Sequence, residues 1–319
     1  MDSFSTLDDL RAFLLCRLDT LVPKQSSVAY FDYPVHDNVG DILIYLGTEE
    51  WFRERELRVL HRSHCRDWRY PALPSNAVVL AHGGGNWGDL YPQHQRLREG
   101  LCESYRDNPI VFLPQTVYFK NPAALRDSVD VLNRHSRLTV LVRDQRSRDV
   151  LEEANATFAL HVVPDMATFL HPIYQRLQVR RLPRRGRLEL LRQDVEKVVS
   201  GDPRVRTESS WSGDWRKMLS LRIVPLLAAY AATRFAPTMI PEGAFARSWH
   251  RYSRMVARHC AERFAAHELI VSSRLHGHIL ATLLGVPNEL RDNSYGKNVA
   301  YYNQWHAELN QPAEGSPST

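Results

Sequence analysis

Cysteine is scarce in this chain and poorly spaced for structure. Cys16, Cys65, Cys102 and Cys260 are the four cysteines in 319 residues, and no C-x-x-C occurs among them. A disulfide frame is therefore not expected, and free thiols in a reducing compartment are. His61-x-x-His64-Cys65 lacks distal partners, so no metal site is predicted. Long apolar runs are also missing: the longest, Ile223 to Ala232, is broken by Pro225 and falls short of the ~20 residues that cross a bilayer. The opening stretch, MDSFSTLDDLRAFLLCRLDTLVP, is acidic where a secretion leader is basic and has no continuous apolar core. It reads as an amphipathic helix of a cytoplasmic protein. No G-x-S-x-G elbow is present, which removes the esterase chemistry that the HGGG segment would otherwise suggest. Internal repeats are absent, and the Pro/Gly/Ser-rich tail 311–319 reads as disordered.

Charge of one sign is in mild excess. The net charge of +5 and pI near 9.1 come largely from Arg176 to Arg192, where seven arginines fall in RLQVRRLPRRGRLELLR. That segment could lie under anionic headgroups, sit near a phosphorylated substrate, or be a solvated connection between domains. No aromatic platform or nucleic-acid motif accompanies it, so nucleic acid is not an expected partner.

What is present is an alternation of short buried strands and amphipathic helices. Strands are predicted at Ser27–Tyr33, Ala77–Ala81, Ile110–Leu113, Leu138–Val142 and His161–Val163. Helical patterns lie between them, notably within Pro34–Arg55, Ala123–Arg137 and Gln145–Ala154. Such alternation argues an α/β fold with parallel sheet and right-handed crossovers. The length suggests two domains: 1–175, then a basic connection 176–187, then 188–310 before the tail. In the second half, strands are predicted at Leu188–Leu191 and Leu269–Val271, with a helix over Arg247–Ala266 leading to the latter. Met218 to Phe235 reads as a helix kinked at Pro225, and the apolar stretch Leu219 to Met239 could touch a bilayer or pack in a core.

Polar residues recur where strands end. Leu269, Ile270 and Val271 run into Ser272 to His276, and Ile279, Leu280, Leu283 and Leu284 then repeat at helical spacing up to Gly285 and Pro287. The start of that helix can dock an anion on Ser273, Arg274 and the first amides, with His276 in proton-transfer reach. The plainer alternative pairs Arg274 with a carboxylate and packs His276. Asn38, Gly40 and Asp41 open a helix and either bond a sugar hydroxyl or simply cap a βα turn. Gly83, Gly84 and Gly85, followed by Asn86, allow close backbone approach to a ligand or a purely structural turn. Arg143, after Val142, points into the same crevice or pairs with Asp144 or Asp149. Lys297, in the loop DNSYGKN, neutralises an anion or is solvated.

Seven segments in order, NVGDILIYLGTEEWF, HGGGNWGDLYP, LPQTVYF, LVRDQRSRDVL, VPDMATFL, SSRLHGHILATLLGVP and DNSYGKN, resemble the polysaccharide pyruvyl transferase family over Val39 to Lys297, in the branch acting on bacterial exopolysaccharides. The resemblance implies two Rossmann-like domains facing a cleft, as in B-type glycosyltransferases. It also implies phosphoenolpyruvate as co-substrate, no cofactor, a sugar hydroxyl pair as acceptor and a cyclic pyruvate ketal as product. The family's basic residues map onto Arg143, His276 and Lys297, with Arg274 in the same motif. His276 is then the acid or base, with Arg274 beside it as a catalytic residue. A lipid-linked oligosaccharide at the inner membrane face is the implied acceptor. A nucleotide-sugar-dependent B-type glycosyltransferase and a non-catalytic saccharide-binding or scaffolding relative remain open as alternatives.

Overall fold

The computed structural model describes residues 4–64, 69–178, 183–193, 209–219, 242–292 and 296–309. Residues 220–241, which hold nearly all of the apolar stretch noted above, lie outside the described residues, as do Cys65, residues 179–182 of the basic segment, 293–295 and the tail.

The amino-terminal half runs α1 (Leu7–Leu21), β1 (Ser27–Phe31), α2 (Val39–Glu54), β2 (Arg58–Ser63), β3 (Val78–Ala81), β4 (Gly84–Trp87), α3 (Pro92–Ser104), β5 (Ile110–Val117), α4 (Pro122–Asn133), β6 (Leu138–Val142), α5 (Gln145–Glu153) and β7 (Ala159–Val162). A 3-10 turn over Met166–Leu170 leads into α6 (His171–Gln178). The carboxyl half contributes β8 (Arg187–Leu190), β9 (Ser209–Gly213), α7 (Trp215–Met218), α8 (Glu242–Ala265), β10 (Leu269–Ser272), α9 (Leu275–Leu283), β11 (Asn288–Leu290) and α10 (Lys297–Trp305).

Two parallel sheets result. The larger has the order β2-β1-β3-β5-β6-β7, with β4 paired beside β5; the smaller has the order β11-β10-β8-β9. Every interior strand is among those that the sequence marked, with edge strand β7 besides: β3 is buried throughout and so is every residue of β5, as two helix-covered faces require. The sequence patterns missed β2 and β9. Both lie at sheet edges and carry polar residues that solvent tolerates. β5 also outruns its expected end, passing Pro114 to reach Val117. The proline is accommodated because the pairing register with β6 shifts between Phe112 and Gln115.

One apolar core runs through both sheets, containing Val28 and Tyr30 of β1, Leu188 and Leu190 of β8, and Ile270 of β10. A second core fills the other face of the larger sheet, with Phe31, Val79, Phe112 and Val140 against Leu97, Leu101 and Val129. Helix α2 joins the halves. Asn38 caps it by accepting the Gly40 amide at 3.1 Å, Asp41 sits in its first turn, and residues 39–48 are buried except Asp41, so it is an interior helix. Its Gly47 passes the 3-10 turn so closely that a Cβ there would stand 2.0 Å from the Met166 carbonyl oxygen. The sequence grouped α10 with the second half, yet it returns to the first. Trp305 donates to the Arg143 carbonyl at 2.7 Å, and the Tyr301 hydroxyl accepts the Asp165 amide at 3.2 Å. No helix among the described residues is long and apolar enough to cross a membrane.

Candidate active site

Open parallel sheets bind ligands beyond the carboxyl ends of their strands. Here the carboxyl ends of both sheets border one cleft of about 360 Å³, within the ~300–1,000 Å³ typical of ligand pockets.

From the larger sheet, Arg143 follows β6 and is 1% exposed. Its Nη1 donates to Asp165 at 2.6 Å, while Nε and Nη2 donate to the Thr116 hydroxyl at 3.1 and 2.7 Å. Its partner is thus Asp165 and neither Asp144 nor Asp149; Asp144 instead caps α5 by accepting the Ser147 amide. Asp165 caps the 3-10 turn through the Ala167 amide and lies 3.3 Å from His276 Nε2. Burial works against ionising Asp165, but His276, Arg143 and the Ala167 amide outweigh it and hold the carboxyl well below the usual range. For Arg143, burial is likewise outweighed by Asp165, so the guanidinium is held more firmly cationic.

From the smaller sheet, β10 breaks at Ser272 into α9, whose cap is Arg274. Arg274 binds Asp214 in a fork, Nε at 2.9 Å and Nη2 at 2.5 Å. That is the carboxylate pairing left open from sequence, yet Arg274 still lines the cleft beside Arg192, His276 and Lys297. Lys297 starts α10 behind Gly296, whose φ of 83° favours glycine. A Cβ on Gly85 would stand 3.3 Å from Arg143 Nη2 and 3.6 Å from Lys297 Nζ, so cations from both halves meet at one backbone position.

Of the sequence-predicted residues, Arg143, Arg274, His276, Lys297, Asn38, Gly40, Asp41, Gly85 and Asn86 line this one cleft. Ser273 does not: its hydroxyl accepts the Arg192 amide at 2.7 Å, tying the end of β8 to the end of β10. Gly83 and Gly84 stand back from it too, Gly83 against the Pro114 carbonyl and Gly84 near Ile44 and Asp41. Gly83, Gly85 and Gly88 have the G-x-G-x-x-G spacing, but strand β4 occupies it where a phosphate loop would open a helix. Asn38 is doubly used, accepting from Gly40 and donating to Asp41 at 2.8 Å. Asp41 is held below the ordinary carboxylate range: burial opposes this, and His36, His82, His276 and His94 together prevail. Sequence reasoning missed Asp214, Asp32 and His94, and it saw Arg192 and Asp165 only as polar ends of predicted strands, Arg192 also as the last residue of the basic segment. His82 is a packing residue: it is buried, bonded to the Tyr30 hydroxyl at 2.5 Å, and pushed down by burial to about 4.

Residues 38–288 match the polysaccharide pyruvyl transferase family. The chain belongs to that family. Among its curated relatives, EpsO of Bacillus subtilis (strain 168), provisionally named a pyruvyl transferase, is 34% identical over 100% of this chain and 95% of its own length. Pyruvyl transferase 1 of Schizosaccharomyces pombe is 26% identical over 87% of this chain and 69% of its own. An uncharacterized Klebsiella pneumoniae protein of known structure, KP1_0663, shares the fold with a TM-score of 0.61 at 18% identity, covering 93% of this chain and 94% of that one. The family match spans both walls of the cleft, from Asn38 to α9.

Proposed function

We propose that this pyruvyl transferase moves the pyruvyl group of phosphoenolpyruvate onto two hydroxyls of one sugar in an exopolysaccharide repeat unit, releasing phosphate and leaving a cyclic ketal. The observation that carries this reading is the convergence of Arg143, Arg192, Arg274 and Lys297 on one cleft that also holds the His276–Asp165 pair. A donor with both a phosphate and a carboxylate needs several cations at once, and arginine forks suit both groups. Arg143 and Arg274 are held by Asp165 and Asp214, which fixes their planes before the donor arrives.

In the reaction as we write it, His276 protonates the donor's methylene carbon, and positive charge develops at the carbon bearing phosphate. One hydroxyl adds there, phosphate departs with the bonding pair, and the second hydroxyl closes the ring. Two hydroxyl protons are released, and two are taken up by carbon and by phosphate, so the scheme balances without a cofactor. Asn38, Asp41 and Asn86, at the amino-terminal side of the cleft, are assigned to sugar hydroxyls.

The acceptor is proposed to be lipid-linked and met at the cytoplasmic membrane face. The exposed arginines Arg247, Arg251, Arg254 and Arg258 of α8, with Met255 and Ile173 exposed beside a cavity of about 1150 Å³, support peripheral contact there.

Calorimetry tests the donor assignment. Phosphoenolpyruvate is expected to bind wild type, to lose affinity in Arg274→Ala, and to bind His276→Ala, which retains the cations but not the proton donor. Binding of a nucleotide-sugar with no binding of phosphoenolpyruvate would sink the reading and favour a glycosyltransferase.

A further inference from the structure

A second histidine–carboxylate pair stands in the same cleft and has no part in the scheme above. Asp32 is the first residue beyond β1, is 2% exposed, and takes a φ of 66°, a left-handed conformation that a residue other than glycine seldom adopts. Such conformations persist where surrounding contacts hold them, and they concentrate at functional sites. What Asp32 meets there is His94, in the first turn of α3, whose Nδ1 lies 2.7 and 2.9 Å from its two carboxylate oxygens. One turn on, fully buried Arg98 stands 3.8 Å from Asp32 and donates to Asn86 at 2.6 Å and Gln115 at 3.0 Å. His94 lines the cleft, and Asp41 feels both His94 and His276. The two imidazoles therefore border one reaction space from opposite sheets.

We infer that His94, oriented by Asp32, is the general base that takes the proton of the attacking sugar hydroxyl. This rests on the pyruvyl-transfer reading. That chemistry asks for one imidazole that gives a proton to carbon and another that removes one from oxygen at the same step; a single histidine cannot start in both states. A carboxylate on Nδ1 keeps the proton on that nitrogen and leaves Nε2 as the base. In the addition, the hydroxyl oxygen bonds to the central carbon of phosphoenolpyruvate, the π pair takes the proton of His276, and the hydroxyl proton passes to His94. In the closure, the carbon–oxygen bond to phosphate breaks and phosphate leaves with that pair and the proton on His94. The second hydroxyl bonds to the same carbon and returns a proton to His276. Both histidines end as they began. Asp32 acts through His94 and is a positioning residue.

The test measures phosphate released from phosphoenolpyruvate with a panel of methyl hexopyranosides as acceptor probes, across pH, beside calorimetric donor binding. The charged and titratable groups around the dyad are Asp32 at the end of β1, His82 just beyond β3, Asp41 of α2, and Arg98 of α3 itself. His94→Gln is expected to lower kcat at least ~100-fold, to keep donor affinity, and to lose the acidic limb of the kcat profile. Asp32→Asn is expected to move that limb to lower pH, because removing the carboxylate makes the imidazolium more acidic. Wild-type kcat in His94→Gln, or an unmoved limb in Asp32→Asn with wild-type turnover, overturns the inference and leaves pyruvyl transfer standing. Loss of donor binding in His94→Gln also overturns it, since His94 would then hold the donor. If wild type neither binds phosphoenolpyruvate nor releases phosphate with any glycoside, pyruvyl transfer itself fails, and the inference fails with it.

Discussion

A Cβ placed on Gly40 would stand 2.8 Å from His276 Nδ1 and 3.1 Å from the next ring atom, so the first turn of α2 and the imidazole share space that only glycine leaves open. Gly40→Ala should push His276 off Asp165. In the proposed scheme His276 is the proton donor and the arginines with Lys297 hold phosphoenolpyruvate; misplacing such a donor by about 1 Å can cost ~100-fold, so kcat should fall ~10- to 100-fold while phosphoenolpyruvate affinity barely changes. Unchanged kcat in that variant would show that the ring position is not critical. The sequence marked Gly40 as a turn former and His276 as an acid or base, but nothing in either motif says that they touch. Ser273 shows the opposite gap. Its place at a helix start suggested an anion ligand, yet the buried end of β8 had an amide to satisfy, and the Arg192 N–H took the hydroxyl.

Helix α8 presents two faces of different character. Phe245, Trp249, Tyr252, Val256, Cys260 and Phe264 are buried, and Arg247, Arg251, Arg254 and Arg258 follow one another along the exposed side, where spacings of three and four keep side chains in one row. Glutamates border the same region, but Glu50 pairs with Arg53, Glu49 with Arg62, and Glu262 with Arg258. Co-sedimentation should bring the protein down with vesicles containing anionic lipid and leave it in solution with neutral ones. Arg251→Glu with Arg254→Glu should abolish the effect without altering donor binding in the distant cleft. Equal retention of the double variant on anionic vesicles would move the contact to another face. The helix was legible from its apolar spacing; the row of arginines became a surface only once the core side had been assigned. Strand β5 marks the limit of such reading, because Pro114 looked like a terminus and the register shift that admits it depends on a neighbouring strand.

Across the whole molecule, folding keeps several imidazoles neutral. Burial pushes His82 down to about 4 and His278, despite its bond to Asn288, to about 4, and it holds His306 lower than an exposed histidine as well. In the unfolded chain these groups titrate near the ordinary ~6.5. Between ~6.5 and ~4 the unfolded state therefore binds more protons, and stability declines as pH falls, by up to ~1.4 kcal/mol per pH unit for each such histidine. Asp165, Asp41 and Asp32, all held below the ordinary carboxylate range, add a further loss below about pH 4 as they must take up protons. Denaturant midpoints taken from pH 7.5 to 4.5 should fall steadily; a flat profile would contradict the neutral state of the buried histidines. By itself the sequence determined the parallel α/β character, the strands that became the sheet interiors, and the polar positions at their ends, because burial on two faces and helical spacing leave local signatures. Only the tertiary structure decided the partners. Asp165 meets Arg143 across 22 residues, Asp214 meets Arg274 across 60, Asp32 meets His94 across 62, and Asp165 meets His276 across 111. Which charges face each other depends on the order of strands in each sheet and on how the two sheets meet, and no local pattern carries that information.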